Sequence, residues 1–206
     1  MTIMDLKSTY NKIAEDWHRD HEKDDWWQDG VDIFISFLKP GAKILDAGCG
    51  GGITSRYFIE RGFILTGIDF SEKMIEISSR ESPRGDFFVM DMRDLKKLTE
   101  QFDGICAKAS LLHFEKKEIP KIIEEFLKKL KNGGFLYVAV KGGRVEQKDE
   151  RVIAENDYGY DYQRFFSFYT LPEMVKYFTD GGLKLVSQKV SKLGNTDWIE
   201  IIGQKV

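Results

Sequence analysis

At 206 residues, 42% apolar and 13% aromatic, the chain can fill one hydrophobic core, which excludes fibrous and disordered architectures and predicts a single domain over 1–206. Its 31 Lys and Arg against 34 Asp and Glu leave a net charge of −3, which offers no electrostatic footprint for nucleic acid or an anionic membrane. No apolar run approaches the roughly 18 residues of a spanning helix, and the opening MTIMDLKSTYNKIAEDW lacks the basic-then-apolar order of a signal peptide, so a soluble, cytoplasmic protein is expected.

Residues 1–40, rich in tryptophan and acidic side chains, precede the first strand-like run and are expected to form a helical cap. Within them His18 and His21 share a helix face near Asp24 and Asp25, a pattern equally typical of a solvated surface, and no metal site is expected. From residue 43 short β-branched runs alternate with amphipathic stretches, the signature of a mostly parallel sheet wound on both faces by helices. The strand candidates are 43–47, 63–69, 86–90, 102–107 and 134–140. Between them, SRYFIERG closes with Gly62, and SEKMIEISSR opens at Ser71, a helix-capping residue. Ile119, Ile122, Ile123, Phe126, Leu127 and Leu130 form one helical stripe, predicted to end at Asn132-Gly133-Gly134. The stretch 142–170 interrupts the alternation and carries Tyr158, Tyr160, Tyr162, Phe165, Phe166, Phe168 and Tyr169, which suits a lid or pocket wall, a strand pair, or a dimer surface. A helix, LPEMVKYFTDGG, and two strand-like runs, 183–190 and 197–205, would finish the sheet with an antiparallel strand. Cys49 and Cys106 are too few for a disulfide framework and lack metal-site spacing, so buried thiols are expected.

The most informative stretch is ILDAGCGGG, residues 44–52, where a strand meets a helix through four glycines with Asp46 just before them. Gly48, Gly50, Gly51 and Gly52 tolerate positive φ and let backbone approach a ligand at the carboxyl edge of a parallel sheet. Asp69 closes the next strand about 20 residues on, where a carboxylate can accept from both ribose hydroxyls, and Asp91 follows the third strand. Each also has a structural role open to it, Asp69 as a helix cap and Asp91 as a turn residue. Ile53 occupies the third-glycine position of a dinucleotide loop, and Asp46 would repel a pyrophosphate while suiting an ammonium or sulfonium group.

These residues resemble the class I S-adenosylmethionine-dependent methyltransferases, whose [DE]xGxGxG motif is matched by Asp46, Gly48, Gly50 and Gly52, over about residues 8 to 206. The resemblance implies a Rossmann-like, doubly wound, seven-stranded α/β fold with S-adenosylmethionine as cofactor. Asp46 and the glycine turn would hold its methionine portion, Asp69 the ribose, and Asp91 with Met92 the adenine; the cofactor-facing set extends to Cys49, Phe70 and Lys108. YNKIAEDW is similar to the family's N-terminal YxxxAxxY element over the methionine end, Tyr10 matching and Trp17 replacing the second tyrosine.

Methyl transfer needs mainly alignment, so a general base is optional. His113, just after the fourth strand, is the candidate, with packing as its other role. Arg164, Phe166, Tyr169 and Glu173 resemble the family's RxFxxYTxxEL-like stretch; Arg164 and Tyr169 from it, with Tyr160 from the aromatic cluster, are the acceptor candidates, Arg164 holding an anion or simply tying the lid to an acid. Lys108, Lys141 and Arg144 fall at or beyond strand ends and suit a carboxylate-bearing acceptor. Lys108-Ala109-Ser110-Leu111 replaces the [DNS]PP[YFW] motif of base-flipping methyltransferases, so a small-molecule acceptor is expected, and no nucleic acid or membrane, for a monomer or homodimer. Three other readings stay open: a non-catalytic cofactor-binding sensor or partner protein, a nicotinamide-dependent oxidoreductase, and other cofactor chemistry such as aminopropyl transfer.

Overall fold

A computed structural model describes residues 3–143 and 149–206. The elements are α1 (Ile3–His21), α2 (Gln28–Ser36), β1 (Lys43–Ala47), α3 (Ile53–Glu60), β2 (Ile64–Asp69), α4 (Glu72–Glu81), β3 (Asp86–Val89), β4 (Phe102–Lys108), α5 (Ile119–Lys129), β5 (Leu130–Lys141), β6 (Glu150–Glu155), β7 (Tyr162–Ser167), α6 (Leu171–Asp180), β8 (Leu183–Leu193) and β9 (Thr196–Lys205). Among the described residues seven strands form one sheet in the order β3-β2-β1-β4-β5-β9-β8. The first five run parallel, and β9 inserts antiparallel between β5 and β8, the antiparallel finish expected from the sequence. No described helix is long and apolar enough to cross a membrane.

The central strands are buried on both faces, which is why they read as continuous apolar runs. Leu45, Ile105, Leu136 and Val138 pack on one face against Ile122, Ile123 and Phe126 of α5 and Met174 and Phe178 of α6. Ile44, Leu65, Cys106 and Tyr137 alternate onto the other face, beneath Val31 and Phe34 of α2 and Phe58 of α3. Both cysteines are buried free thiols. Strand order reverses between β1 and β4, so their carboxyl ends diverge and open a crevice at the switch point.

Three expectations change. The α5 stripe ends at Lys129, and fully buried Leu130 is already paired with Phe102 of β4, so the Asn132-Gly133-Gly134 turn lies in an irregular start of β5. Of the N-terminal cap, α1 and the following loop face the crevice, whereas α2 is a sheet-covering helix, because Val31 and Phe34 find their apolar partners on the sheet. In the stretch 142–170, β6 pairs antiparallel with β7 as a separate two-stranded sheet, so the strand-pair reading holds there, and residues 156–161 form its connection. Glu150, Arg151 and Glu155 leave β6 only three apolar residues, which hid it from an apolar count. Arg144 lies outside the described residues.

Glycine is required at 104, in the middle of β4. A Cβ there would lie 2.7 Å from Phe34 Cζ and 2.9 Å from Leu38 Cδ1. Phe34 has nowhere to retreat, stacked on Tyr137 and edge-on to Phe58. Gly104→Ala is therefore expected to lower the unfolding free energy by about 1–3 kcal/mol through overpacking. Urea denaturation measures this, and an unchanged midpoint would contradict the α2 packing.

Candidate active site

The crevice is a cavity of about 280 Å³ whose floor is the glycine turn. Gly48 and Gly50 hold φ of +83° and +53°, conformations that favour glycine. This backbone turns the Gly48 and Cys49 N–H groups onto the Ile68 carbonyl at 2.8 and 2.9 Å, stitching the turn to β2.

Two carboxylates sit beneath it. Asp46, 2% exposed, accepts a hydrogen bond from Ser55 Oγ at 2.7 Å. Asp69, 9% exposed, accepts from the Gly50 N–H at 3.1 Å and the Ser71 N–H at 2.9 Å, so it both braces the turn and serves the α4 N-terminus. Ser71 Oγ in turn accepts from Met74 N as the α4 cap. Burial pushes both carboxyls up to about 6; Asp46 adds repulsion at Asp69, while Ser55 and Lys108 draw Asp46 back. Such groups call for a cationic partner.

The wall opposite comes from α1 and the β6–β7 sheet. Tyr10 stands edge-on to Phe70, ring centres 5.9 Å apart, and donates its hydroxyl to His113 Nε2 at 2.6 Å. His113 Nδ1 lies 2.8 Å from the Phe165 carbonyl, which can only accept. The ring proton therefore sits on Nδ1, and Nε2 is a bare acceptor. Burial pushes His113 down to about 3, keeping it neutral. Arg164 reaches the same corner, 3.4 Å from the Tyr10 oxygen, but is bound at 2.6 Å by both oxygens of Glu155 on β6. The lid-tie reading of Arg164 thus describes its contacts, with a glutamate as the tie.

Among the sequence candidates the cavity brings together Tyr10, Asp46, Gly48, Cys49, Gly50, Asp69, Phe70, Met92, Lys108, His113 and Arg164. Cys49 is a packing thiol, which burial pushes well above its ordinary range. Three candidates fall elsewhere. Asp91 does not line the cavity: Arg93, two residues on, binds its two oxygens at 3.0 and 2.6 Å and reaches Glu118 as well. Tyr160 lies in the β6–β7 connection, where its hydroxyl donates to Asp16 of α1 at 2.7 Å and the Lys12 ammonium covers its ring. Tyr169 is buried in the core below, and the Thr170–Glu173 capping box that starts α6 gives that stretch a local structural reason.

Sequence reasoning missed Trp26, Trp27 and Trp198, which join Trp17 and Phe166 on the aromatic side of the cavity. Trp26 and Trp198 stack 4.2 Å apart, and Lys108 Nζ lies 5.5 and 5.0 Å from the Trp26 and Trp27 rings. The adjacent tryptophans of the cap were a visible signal; Trp198, from the far end of the chain, carried none. His18 packs behind the turn against Gly51, and His21 stacks on Trp17 with Nδ1 bonded to the Trp17 carbonyl. Among the described residues no cluster of His, Cys, Asp or Glu could hold a metal ion.

Residues 44–134 match the family model described as a methyltransferase domain. Over 106 residues the chain is 32% identical to the magnesium-protoporphyrin O-methyltransferase of Rhodobacter capsulatus, covering 49% of this chain and 46% of that protein. The chain thus spans under half the length of this curated relative. In three dimensions it superposes with a TM-score of 0.79 and 18% identity on the 1,6-didemethyltoxoflavin-N1-methyltransferase of Burkholderia thailandensis, covering 99% of this chain and 88% of that one. A methyltransferase of Methanosarcina mazei gives a TM-score of 0.75 at 22% identity, covering 84% and 97%. Residues 44–134 thus match the methyltransferase domain family, and the fold built around them is the Rossmann-like fold of these solved methyltransferases.

Proposed function

We propose that the protein is an S-adenosylmethionine-dependent methyltransferase acting on a small-molecule acceptor. The observation that carries this reading is the pair of buried carboxylates under a glycine turn at the switch point of the sheet. The site fits the cofactor: burial holds both carboxyls near 6, and the methionine end brings an ammonium and a sulfonium that would favour their charged form. Asp46 with Gly48, Cys49 and Gly50 would hold the methionine portion, and the Lys108 ammonium would meet its carboxylate. Asp69 keeps lone pairs beyond those used by Gly50 and Ser71, enough to accept from ribose hydroxyls. Met92 and Phe70 would flank the adenine, with the Asp91 side chain left to Arg93.

When bound, the cofactor supplies a methyl group on an already activated sulfur. The residues of this chain align the acceptor and exclude water, α1 being fastened over the site by Thr9 and Lys12 to the carbonyls of Gln163 and Asp161. A proton released by the acceptor would pass to the Tyr10 oxygen as the Tyr10 proton moves to His113 Nε2. His113 is a weak base, but the proton of a freshly methylated hydroxyl oxygen, an oxonium, is acidic enough for one. The broader reading is a single domain over 1–206, monomeric or homodimeric, cytoplasmic and without a nucleic-acid partner. Movement of label from methyl-labelled S-adenosylmethionine into a small-molecule fraction tests it, and label confined to S-adenosylmethionine across acceptor panels would contradict it.

Two further outcomes follow from the site. Carboxyls held near 6 must ionise to bind a cation, so S-adenosylmethionine affinity should fall as pH drops below about 6, by up to about tenfold per pH unit for each carboxyl. S-adenosylhomocysteine, with one positive charge fewer, should fall less steeply. In the ligand-free protein the sign reverses: the stability these raised groups contribute is complete below the unfolded carboxyl pKa and is lost as pH rises through about 6. Calorimetry between pH 5 and 7.5 reads the binding effect, and pH-independent affinity would contradict it. Tyr10→Phe should lower turnover by about 10- to 1000-fold and leave S-adenosylhomocysteine affinity nearly unchanged; the reverse pattern would make Tyr10 a cofactor-binding group alone.

A further inference from the structure

The end of the cavity beyond the proton-accepting corner offers hydrogen-bond donors without acceptors. Lys141, at the end of β5, lines the cavity with Nζ 4.4 Å above the Phe166 ring. The carboxylate whose charge reaches it, Glu155, is engaged by both arms of Arg164. Among the described residues Lys141 has no ion pair of its own. Its register partner on β9 is Trp198, 6% exposed, whose indole Nε1–H is buried with no hydrogen-bond partner. Partners in an antiparallel ladder share a face of the sheet, with Cα atoms about 4.5–5.5 Å apart. An ammonium without an ion pair and a buried N–H without a partner thus project from paired positions on one face of the sheet.

Charges elsewhere in the cavity do not answer them. Asp24 and Asp46 act on Lys108, and Asp69 sits under the glycine turn, where it accepts from Gly50 and Ser71. A buried donor without a partner is costly, and the cost is relieved by a ligand that brings the missing oxygens. Two donors match the two oxygens of a carboxylate. The surrounding surface is flat and aromatic: Trp26 stacks on Trp198, and Phe166 closes the far side beneath Lys141. Such a wall takes the face of a planar ring.

We propose that the methyl acceptor is an aromatic carboxylic acid, its carboxylate received by Lys141 Nζ and Trp198 Nε1 and its ring laid against Trp26, Trp198 and Phe166. The inference rests on the same cavity being the transfer site and specifies its acceptor class. Lys141 and Trp198 are binding residues here; Tyr10 and His113 remain the proton-handling pair.

The test is a titration of the full chain, followed by tryptophan fluorescence, with 4-hydroxybenzoate and its neutral isostere 4-hydroxybenzamide, each with and without saturating S-adenosylhomocysteine. The acid should bind about tenfold or more tightly than the amide, the scale of a charge-assisted contact in a desolvated site. Lys141→Met should abolish that preference, Lys141→Arg should retain it, and Trp198→Phe should weaken the acid several-fold more than the amide. Equal affinities in the unmodified protein, no binding of either probe, or a preference that survives Lys141→Met would overturn the proposal. S-adenosylhomocysteine binding is measured separately by calorimetry. Acid preference without S-adenosylhomocysteine binding would sink the cofactor reading alone, and the opposite result would sink the acceptor class alone.

Discussion

Asp69 is the point on which the rest of the site depends. Its carboxylate, nearly out of water at the end of β2, joins the Gly50 N–H of one loop to the Ser71 N–H of another, so one side chain sets the distance between the glycine turn and the start of α4. Asp46 lies one strand over in register with Gly67, close enough for the two charges to repel. A fold seldom buries two like charges in the same corner without return, because each ionised group loses its hydration. Here the return is a site charged in advance for a cation, in a crevice that the strand reversal between β1 and β4 opens in any case.

What covers that crevice is drawn from distant parts of the chain. α1 lies across the site with Asn11 bonded to Ser71 and Glu72 on one side, and Thr9 and Lys12 bonded to the β6–β7 sheet on the other. The tyrosines of the β6–β7 connection pack on one another and on α1, and so hold the cover in place without entering the cavity. The sheet edge at β9 supplies Trp198 to the opposite end. The two halves of the cavity thus differ in origin: the half around Asp46 and Asp69 is built from consecutive strand-to-helix turns, the half around Lys141 and Trp198 from β5, the two ends of the chain and the inserted strand pair.

That difference explains what could be read in advance. The glycine turn and its two carboxylates were legible because their roles are local: positive φ selects glycine, a buried strand end selects apolar residues, and a carboxylate at its tip stands out against them. The α4 cap at Ser71 and the antiparallel finish were legible for the same reason. Asp91 falls outside the cavity lining because a neighbour two residues away, Arg93, claims its oxygens, a contact that only geometry reveals. Tyr160 and Tyr169 show that aromatic density does not say which rings face a cavity; one packs outside on α1 and the other fills the core. β6 escaped because Glu150, Arg151 and Glu155 break its apolar pattern, and the stack of Trp26 on Trp198 is a contact between the two ends of the chain that no local spacing encodes.

The central claim is that the two buried carboxylates and the glycine turn hold S-adenosylmethionine. Calorimetric titration of the protein, freed of carried-over ligand, with S-adenosylmethionine, S-adenosylhomocysteine and NAD in parallel tests it most directly. Dissociation constants on the order of micromolar for the first two, with no heat from NAD, are the predicted result. Binding of NAD alone, or of none of the three, would contradict the reading of the turn.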